Sequence, residues 1–273
     1  TDSHKAEEYI FMAQQALEKN ELDNAVTFAE KAIELNDTVS KYYYWLGNAY
    51  GLKAQNAGIF GKMSNAKKCK KAWLKAVDLN PANIEARTSL FQYYVHAPSI
   101  AGGGRDKAEK EAERVAKLDS VQGLYLFAQL HTADENYNKA EEAYLRTTEI
   151  TPDSSAPFLY LGQFYQQQGE YEKAESVFKK ALALNEQENT AWYYLGRNTY
   201  MSGKKLEQGV TSFKKFLSHL APEKKRTGSQ ALYQLGKIYE RLENKAAAIT
   251  SYKKAVELDP DNEDAEKALN ELT

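Results

Sequence analysis

The chain repeats itself, and a sequence that returns to the same slots every 20–50 residues or so folds as a row of small units rather than around one central core. Around Leu161-Gly162, Phe158 lies three residues before the pair and Tyr165 three after its glycine, and Ala174, Phe178 and Ala181 follow at helical spacing. The frame fits again at Leu235-Gly236, with Leu232, Tyr239, Ala248, Tyr252, Ala255 and Pro260. It fits at Leu195-Gly196, with Trp192 and, after one extra residue, Gly209 and Phe213. It fits at Leu46-Gly47, with Tyr43, Tyr50 and, after a long insertion, Cys69, Trp73, Ala76 and Pro81. A weaker copy carries Phe127-Ala128, Ala140, Tyr144 and Pro152, and two degenerate copies carry Met12-Ala13, Ala25, Ala32 and Leu90, Tyr94, Ala108. The copies start near residues 6, 40, 84, 121, 155, 189 and 229; three of the six intervals are 34 residues, and the others, 44, 37 and 40, mark insertions.

Within each copy, large apolar residues recur at i, i+3, i+4 and i+7, the pattern of an amphipathic helix. Small residues such as Gly162 and Ala174 stand where two helices approach, and bulky ones such as Trp73, Phe178, Phe213 and Tyr252 fill the space beside them. Pro81, Pro152 and Pro260 fall between copies, where a helix must end. No segment alternates with period two, so no strand is expected. The pattern resembles the tetratricopeptide repeat family, whose unit is a 34-residue helix-turn-helix. The resemblance spans about residues 6–262. It implies an all-α, right-handed α-solenoid forming a single domain over 1–273, with repeats at about 6–39, 40–83, 84–120, 121–154, 155–188, 189–228 and 229–262. Residues 263–273 (EDAEKALNELT) read as a capping helix whose Glu263, Asp264, Glu266 and Lys267 give the polar outer face a terminal repeat needs.

Repeats and cap leave no room for a separately folded catalytic domain, and no enzyme is expected. The chain has no HExxH, no G-x-S-x-G and no GxxxxGK[ST]. Of the four histidines, His4 and His219 read as surface residues, His131 takes a slot inside its repeat, and His96, beside an insertion, is the one weak site candidate. Cys69 occupies a small-residue slot between helices, which points to packing rather than nucleophilic chemistry. No metal and no cofactor is expected. Lys and Arg number 36 against 38 Asp and Glu, a formal charge of −2, so no global cationic field attracts nucleic acid, and none is expected as a partner. No apolar run approaches the ~18 residues of a transmembrane helix.

In proteins this sequence resembles, the first helix of each unit lines a concave groove. The residue one place after the Leu-Gly pair gives, copy by copy, Gln14, Asn48, Gln92, Gln129, Gln163, Arg197 and Lys237: five carboxamides, then two cations. One turn earlier lie Tyr44, Tyr125, Tyr193 and Tyr233, with Trp45, Tyr160 and Tyr194 beside them. A carboxamide both donates and accepts, so it can pair with a peptide backbone without reading side chains. Neighbouring helices pack about 8–10 Å apart and an extended peptide advances about 3.3 Å per residue, so one amide would serve roughly three ligand residues. Arg197 and Lys237 would hold an acidic side chain or a terminal carboxylate. The carboxylate-clamp subtype of the family is not expected, because Ile10 and Gln14 stand where its first helix has Lys and Asn.

Two insertions fall between the first and second helices of neighbouring copies: ten residues within Gly51–Lys68 and about three within His96–Arg105. In a solenoid such insertions emerge on one edge and lie close together. Ile59 and Phe60 are exposed there unless they pack on something such as Ile100. Seven lysines and no acid lie between Gly51 and Lys75, and Gly102-Gly103-Gly104 precede a helix whose N-terminus could receive an anion, although Asp106 can cap it instead. Ile59, Phe60, Lys62, Lys67, Lys68 and Arg105 thus form a second candidate surface, for an acidic partner. AYGLKAQ together with APSIAGGGRDKA is similar to a bacterial envelope subgroup of the family. With Thr1 rather than Met in first place, that directs the expectation to a periplasmic or secreted protein, a cytoplasmic one being the alternative. The function expected is a non-catalytic adaptor or scaffold that binds an extended segment of a protein partner in its groove. The alternative is a structural subunit that assembles with itself or a larger complex through helix faces and the insertion edge.

Overall fold

The computed structural model describes residues 2–222 and 224–273; the side chain of Ile59 lies outside that description. The described residues form fifteen α-helices, one 3-10 turn and no strand. They fall into two compact units, Thr1–Arg146 and Thr147–Thr273.

The first unit pairs α1 (Asp2–Glu18) with α2 (Leu22–Leu35), α3 (Ser40–Asn56) with α4 (Ile59–Leu79), and α5 (Ile84–His96) with α6 (Arg105–Leu118). It continues with α7 (Ser120–Ala133) and most of α8 (Tyr137–Ile150). The second unit pairs α9 (Ser155–Gln167) with α10 (Tyr171–Leu184), α11 (Asn189–Ser202) with α12 (Leu206–Ser218), and α13 (Lys225–Arg241) with α14 (Lys245–Leu258). α15 (Glu263–Leu272) closes it against α14, burying Ala265 and Ala268 and leaving Glu263, Asp264, Glu266 and Lys267 exposed. In each pair the first member is the A helix and the second the B helix.

The crossing of A on B is set by size. A Cβ added to Gly162 would lie 2.3 Å from the Phe178 ring, at Gly236 2.3 Å from Tyr252, at Gly196 2.7 Å from Phe213 and at Gly47 2.3 Å from Trp73. Only the missing side chain lets those rings lie across the A helix. The A–B turn recurs too. In four repeats one residue takes the left-handed conformation, Asn20, Glu135, Gly169 and Glu243, and the amide after it closes back on the A helix: Glu21 on Ala16, Asn136 on His131, Glu170 on Tyr165 and Asn244 on Tyr239, at 2.8–2.9 Å. These are the 6→1 bonds of a Schellman cap.

The insertions depart from expectation. Gly51–Lys68 is not a loop: α3 runs on to Asn56 and α4 begins at Ile59, leaving only Ala57 and Gly58 between them. The extra residues are absorbed as added helical turns, because a Cβ on Gly51 would already stand 3.5 Å from the Trp73 ring and Ala54 is buried, so the hairpin goes on packing. The glycine run is a built turn. A Cβ on Gly103 would lie 1.8 Å from the Ala97 carbonyl, and Gly102 and Gly104 have φ of +87° and +153°.

Candidate functional site

The predicted ligand face is carried by the A helices, and the structure divides it unit by unit. In the first unit Gln14, Asn48, Gln92 and Gln129 are all half-buried on α1, α3, α5 and α7. They are not equivalent. Gln92 Nε2 donates to Gln129 Oε1 at 2.5 Å, tying two A helices together. Asn48 Oδ1 accepts from Trp73 Nε1 at 3.1 Å and so orients the ring that crosses Gly47. Gln14 makes no side-chain hydrogen bond among the described residues. Tyr44 and Trp45 meet edge to face at 5.2 Å, as do Tyr125 and Tyr144 at 6.1 Å.

In the second unit the tyrosines are partly scaffold. Tyr194 stacks on Phe178 at 5.5 Å, and Tyr193 meets Phe216 at 5.2 Å and Phe213 at 6.1 Å. Burial pushes both hydroxyls above the ordinary tyrosine range, and the nearby Arg197 guanidinium holds part of that rise back. Arg197 is half-buried and has no carboxylate partner among the described residues. Lys237 is different: its Nζ lies 2.9 Å from Glu240, which also accepts from the Tyr252 hydroxyl. The two predicted cations therefore separate into one held by the fold and one unneutralised. Gln163 and Tyr160 lie half-buried on α9, and Tyr233 on α13 faces the Tyr252 ring at 6.0 Å.

Polar groups that carry the scaffold went unsignalled by the slot pattern. In the first unit the Arg87 guanidinium donates to Glu111 at 2.9 Å and to the Pro81 carbonyl at 2.6 Å, and Arg114 completes the pairing of Glu111. Arg87 and Glu111 are both buried. In the second unit the buried Gln166 donates to the Tyr194 carbonyl at 3.2 Å and to Asn198 at 3.3 Å. A serine–asparagine staple occurs once in each unit. Ser40 Oγ donates to the Ala76 carbonyl and accepts from Asn83; Ser229 Oγ donates to the Ala255 carbonyl and accepts from Asn262. Both asparagines also cap the helix that follows them.

The second candidate surface is partly corrected. Arg105 is neutralised by Asp134 at 2.7 Å and Glu109 at 2.6 Å, so it is no anchor for an acidic partner. Phe60 and Ile100 are 94% and 86% exposed and do not pack on each other, while Lys62, Lys67, Lys68 and Lys71 are exposed along α4. The insertions do lie close: the 3-10 turn Ser99–Ala101 rests on α4, and Lys70 Nζ donates to the Ala101 carbonyl at 3.2 Å. No anion site exists at the glycine turn. The amides of Gly102, Gly103 and Gly104 already donate to Ser99, Pro98 and Tyr94, and the helix N-cap is Gly104, not Asp106.

His96 and His219 are exposed, and His4 lies 3.1 Å from Glu8. No group of three or more His, Cys, Asp or Glu is placed to hold a metal among the described residues. Cys69 is buried with its Sγ on the Ala66 carbonyl at 3.1 Å, and burial raises the thiol to about 11, so it stays protonated and inert. An open cavity of about 400 Å³ lies in the second unit among α10, α11 and α12, with Trp192, Leu182, Glu175 and Thr211 in its wall. None of the predicted ligand residues lines it. No described helix is long and apolar enough to cross a membrane.

Helical hairpins that repeat one glycine-to-ring crossing define a helical-repeat protein with its side-chain ladder on the A helices. Two stretches of the chain carry the tetratricopeptide repeat itself. Residues 229–262 and 155–198 match family models described as tetratricopeptide repeats. Among solved structures, a tetratricopeptide repeat protein from Parabacteroides merdae is similar with a TM-score of 0.57 at 17% identity, over 98% of this chain and 99% of that one. PilF of Pseudomonas aeruginosa is similar with a TM-score of 0.53 at 17% identity, over 86% and 98%. At these identities the likeness is one of fold. No curated protein matches the chain. Members of the family are in general protein-interaction adaptors without catalytic activity.

Proposed function

We propose that the A-helix face binds an extended segment of a partner protein, with an acidic group of that segment seated at Arg197. The observation that carries this reading is Arg197 itself. A half-buried guanidinium near the hydroxyls of Tyr193 and Tyr194, with no carboxylate partner among the described residues, gains charge-assisted hydrogen bonds when a carboxylate arrives. Gln163 on the neighbouring A helix supplies a donor and an acceptor for the ligand backbone. Lys237 is left out of the contact because Glu240 already holds it. The protein acts non-catalytically as an adaptor.

The test is binding of the chain to an array of extended peptides that differ in acidic residues. Arg197→Ala with Gln163→Ala is expected to weaken capture of acidic peptides about tenfold, with helicity unchanged. Equal capture by variant and parent, or capture indifferent to peptide charge, would overturn the assignment of Arg197.

A further inference from the structure

We propose that the exposed N-terminal part of α4, with the 3-10 turn tied to the helix at Lys70, docks the protein peripherally on an anionic phospholipid surface. The lysines of this region divide by what holds them. Lys53 pairs with Asp23 and Lys75 with Asp78 at 3.5 Å; Lys68 and Lys70 lie over the Tyr50 and Tyr93 rings at 5.0 and 5.3 Å. Lys62, Lys67 and Lys71 are exposed and have no carboxylate partner among the described residues, and residues 51–77 contain no acid at all. Among these cations stand apolar side chains that the fold does not cover: Phe60 at 94% exposure, Met63 at 48% and, on the turn tied to α4 through Lys70, Ile100 at 86%. Phe60, Met63, Lys67 and Lys71 follow at intervals of three and four, one face of a helix.

Basic and apolar residues mixed on one exposed face fit an interface where hydrocarbon begins below a layer of negative charge. An acidic protein would match the charge equally well. What favours lipid is relief: Phe60 and Ile100 stand almost wholly exposed among the cations. Exposed apolar tips sink into a fluid interface without needing a matching pocket. The α4 N-terminus, capped only by Gly58, adds its partial positive charge to the same end.

The experiment is sedimentation of the 273-residue chain with vesicles of phosphatidylcholine alone and of phosphatidylcholine mixed with phosphatidylglycerol, at low and physiological salt. Partition onto the mixed vesicles is expected, weakening with salt. Phe60→Ser with Met63→Ser, and separately Lys67→Glu with Lys71→Glu, should each lower it about tenfold. These side chains are exposed, so circular dichroism should not change. No partition onto mixed vesicles at low salt overturns the proposal, as does partition that neither double variant alters. Binding of soluble polyglutamate without vesicle binding assigns the face to an acidic protein instead, and overturns it too. Arg197→Ala with Gln163→Ala should leave partition intact, so this proposal and peptide capture fail separately.

Discussion

The third and fifth repeats solve one packing problem with the sizes exchanged. In the fifth, Gly162 on the A helix faces Phe178 on the B helix. In the third, the slot after Leu90 holds Phe91, and Ala112, four residues after Ala108 as Phe178 is four after Ala174, stands where the ring would be. Phe91, Ala108 and Ala112 are fully buried in one cluster with Val115 and Leu126. What the hairpin holds constant is the volume at the crossing, not the residue on either helix, as expected for a core packed at crystalline density. This is why the third repeat reads as degenerate in sequence and yet forms the same pair of helices.

The comparison is broken most forcefully by undoing the exchange. Phe91→Gly leaves a cavity and puts a glycine inside a helix, and should cost about 4 kcal/mol. Ala112→Phe alone overpacks the same cluster and should cost about 1–3 kcal/mol. The double variant rebuilds the crossing of the fifth repeat and should recover at least half of the summed loss in urea denaturation. Strict additivity of the two single losses would show that the sizes are not exchanged but independently fixed.

The two repeats differ also in what they bury beside the crossing. The third encloses the Arg87–Glu111 pair; the fifth uses the neutral amide Gln166. Arg87→Met should cost about 3 kcal/mol, because it strands a buried carboxylate with only Arg114 to answer it, and adding Glu111→Leu should restore most of that loss. If the double variant were as unstable as Arg87→Met, the charge would not be the cause.

What could be read from the sequence followed this division between size and partner. The glycine–ring crossings, the prolines between repeats and the final helix were legible because each depends on residue type at a fixed spacing. The staple was legible in principle, since Pro-x-Asn recurs at 81–83 and 260–262. The A–B turn was only a quarter visible: Gly169 announces a left-handed residue, whereas Asn20, Glu135 and Glu243 adopt the same conformation with no glycine to mark it. The insertion of the second repeat was placed between its helices as a whole, whereas the break takes only Ala57 and Gly58. The candidate face was legible as a series of slots. Which member pairs with which was not, because Gln92 with Gln129 and Asn48 with Trp73 are choices made between helices 37 and 25 residues apart.

The fifth repeat carries one charge that sharpens the contrast with Glu111. Glu175 on α10 is largely enclosed, and burial pushes its pKa up, but hydrogen bonds from Lys179 and Lys205 outweigh burial and hold it below the ordinary 4.5. A carboxylate whose folded pKa lies below its unfolded one stabilises the fold above the unfolded value. That contribution is lost as pH falls through the folded value. Both lysines are about half exposed, so the gain is small, about 0.5–1 kcal/mol. Comparing the parent chain with Glu175→Gln isolates this residue, because every other group titrates alike in both. The parent should be the more stable at pH 7, and the gap should close as the solution is acidified below the ordinary 4.5. A gap that stayed constant with pH would mean that Glu175 contributes by packing, and that the lysines above it are as dispensable as most surface ion pairs.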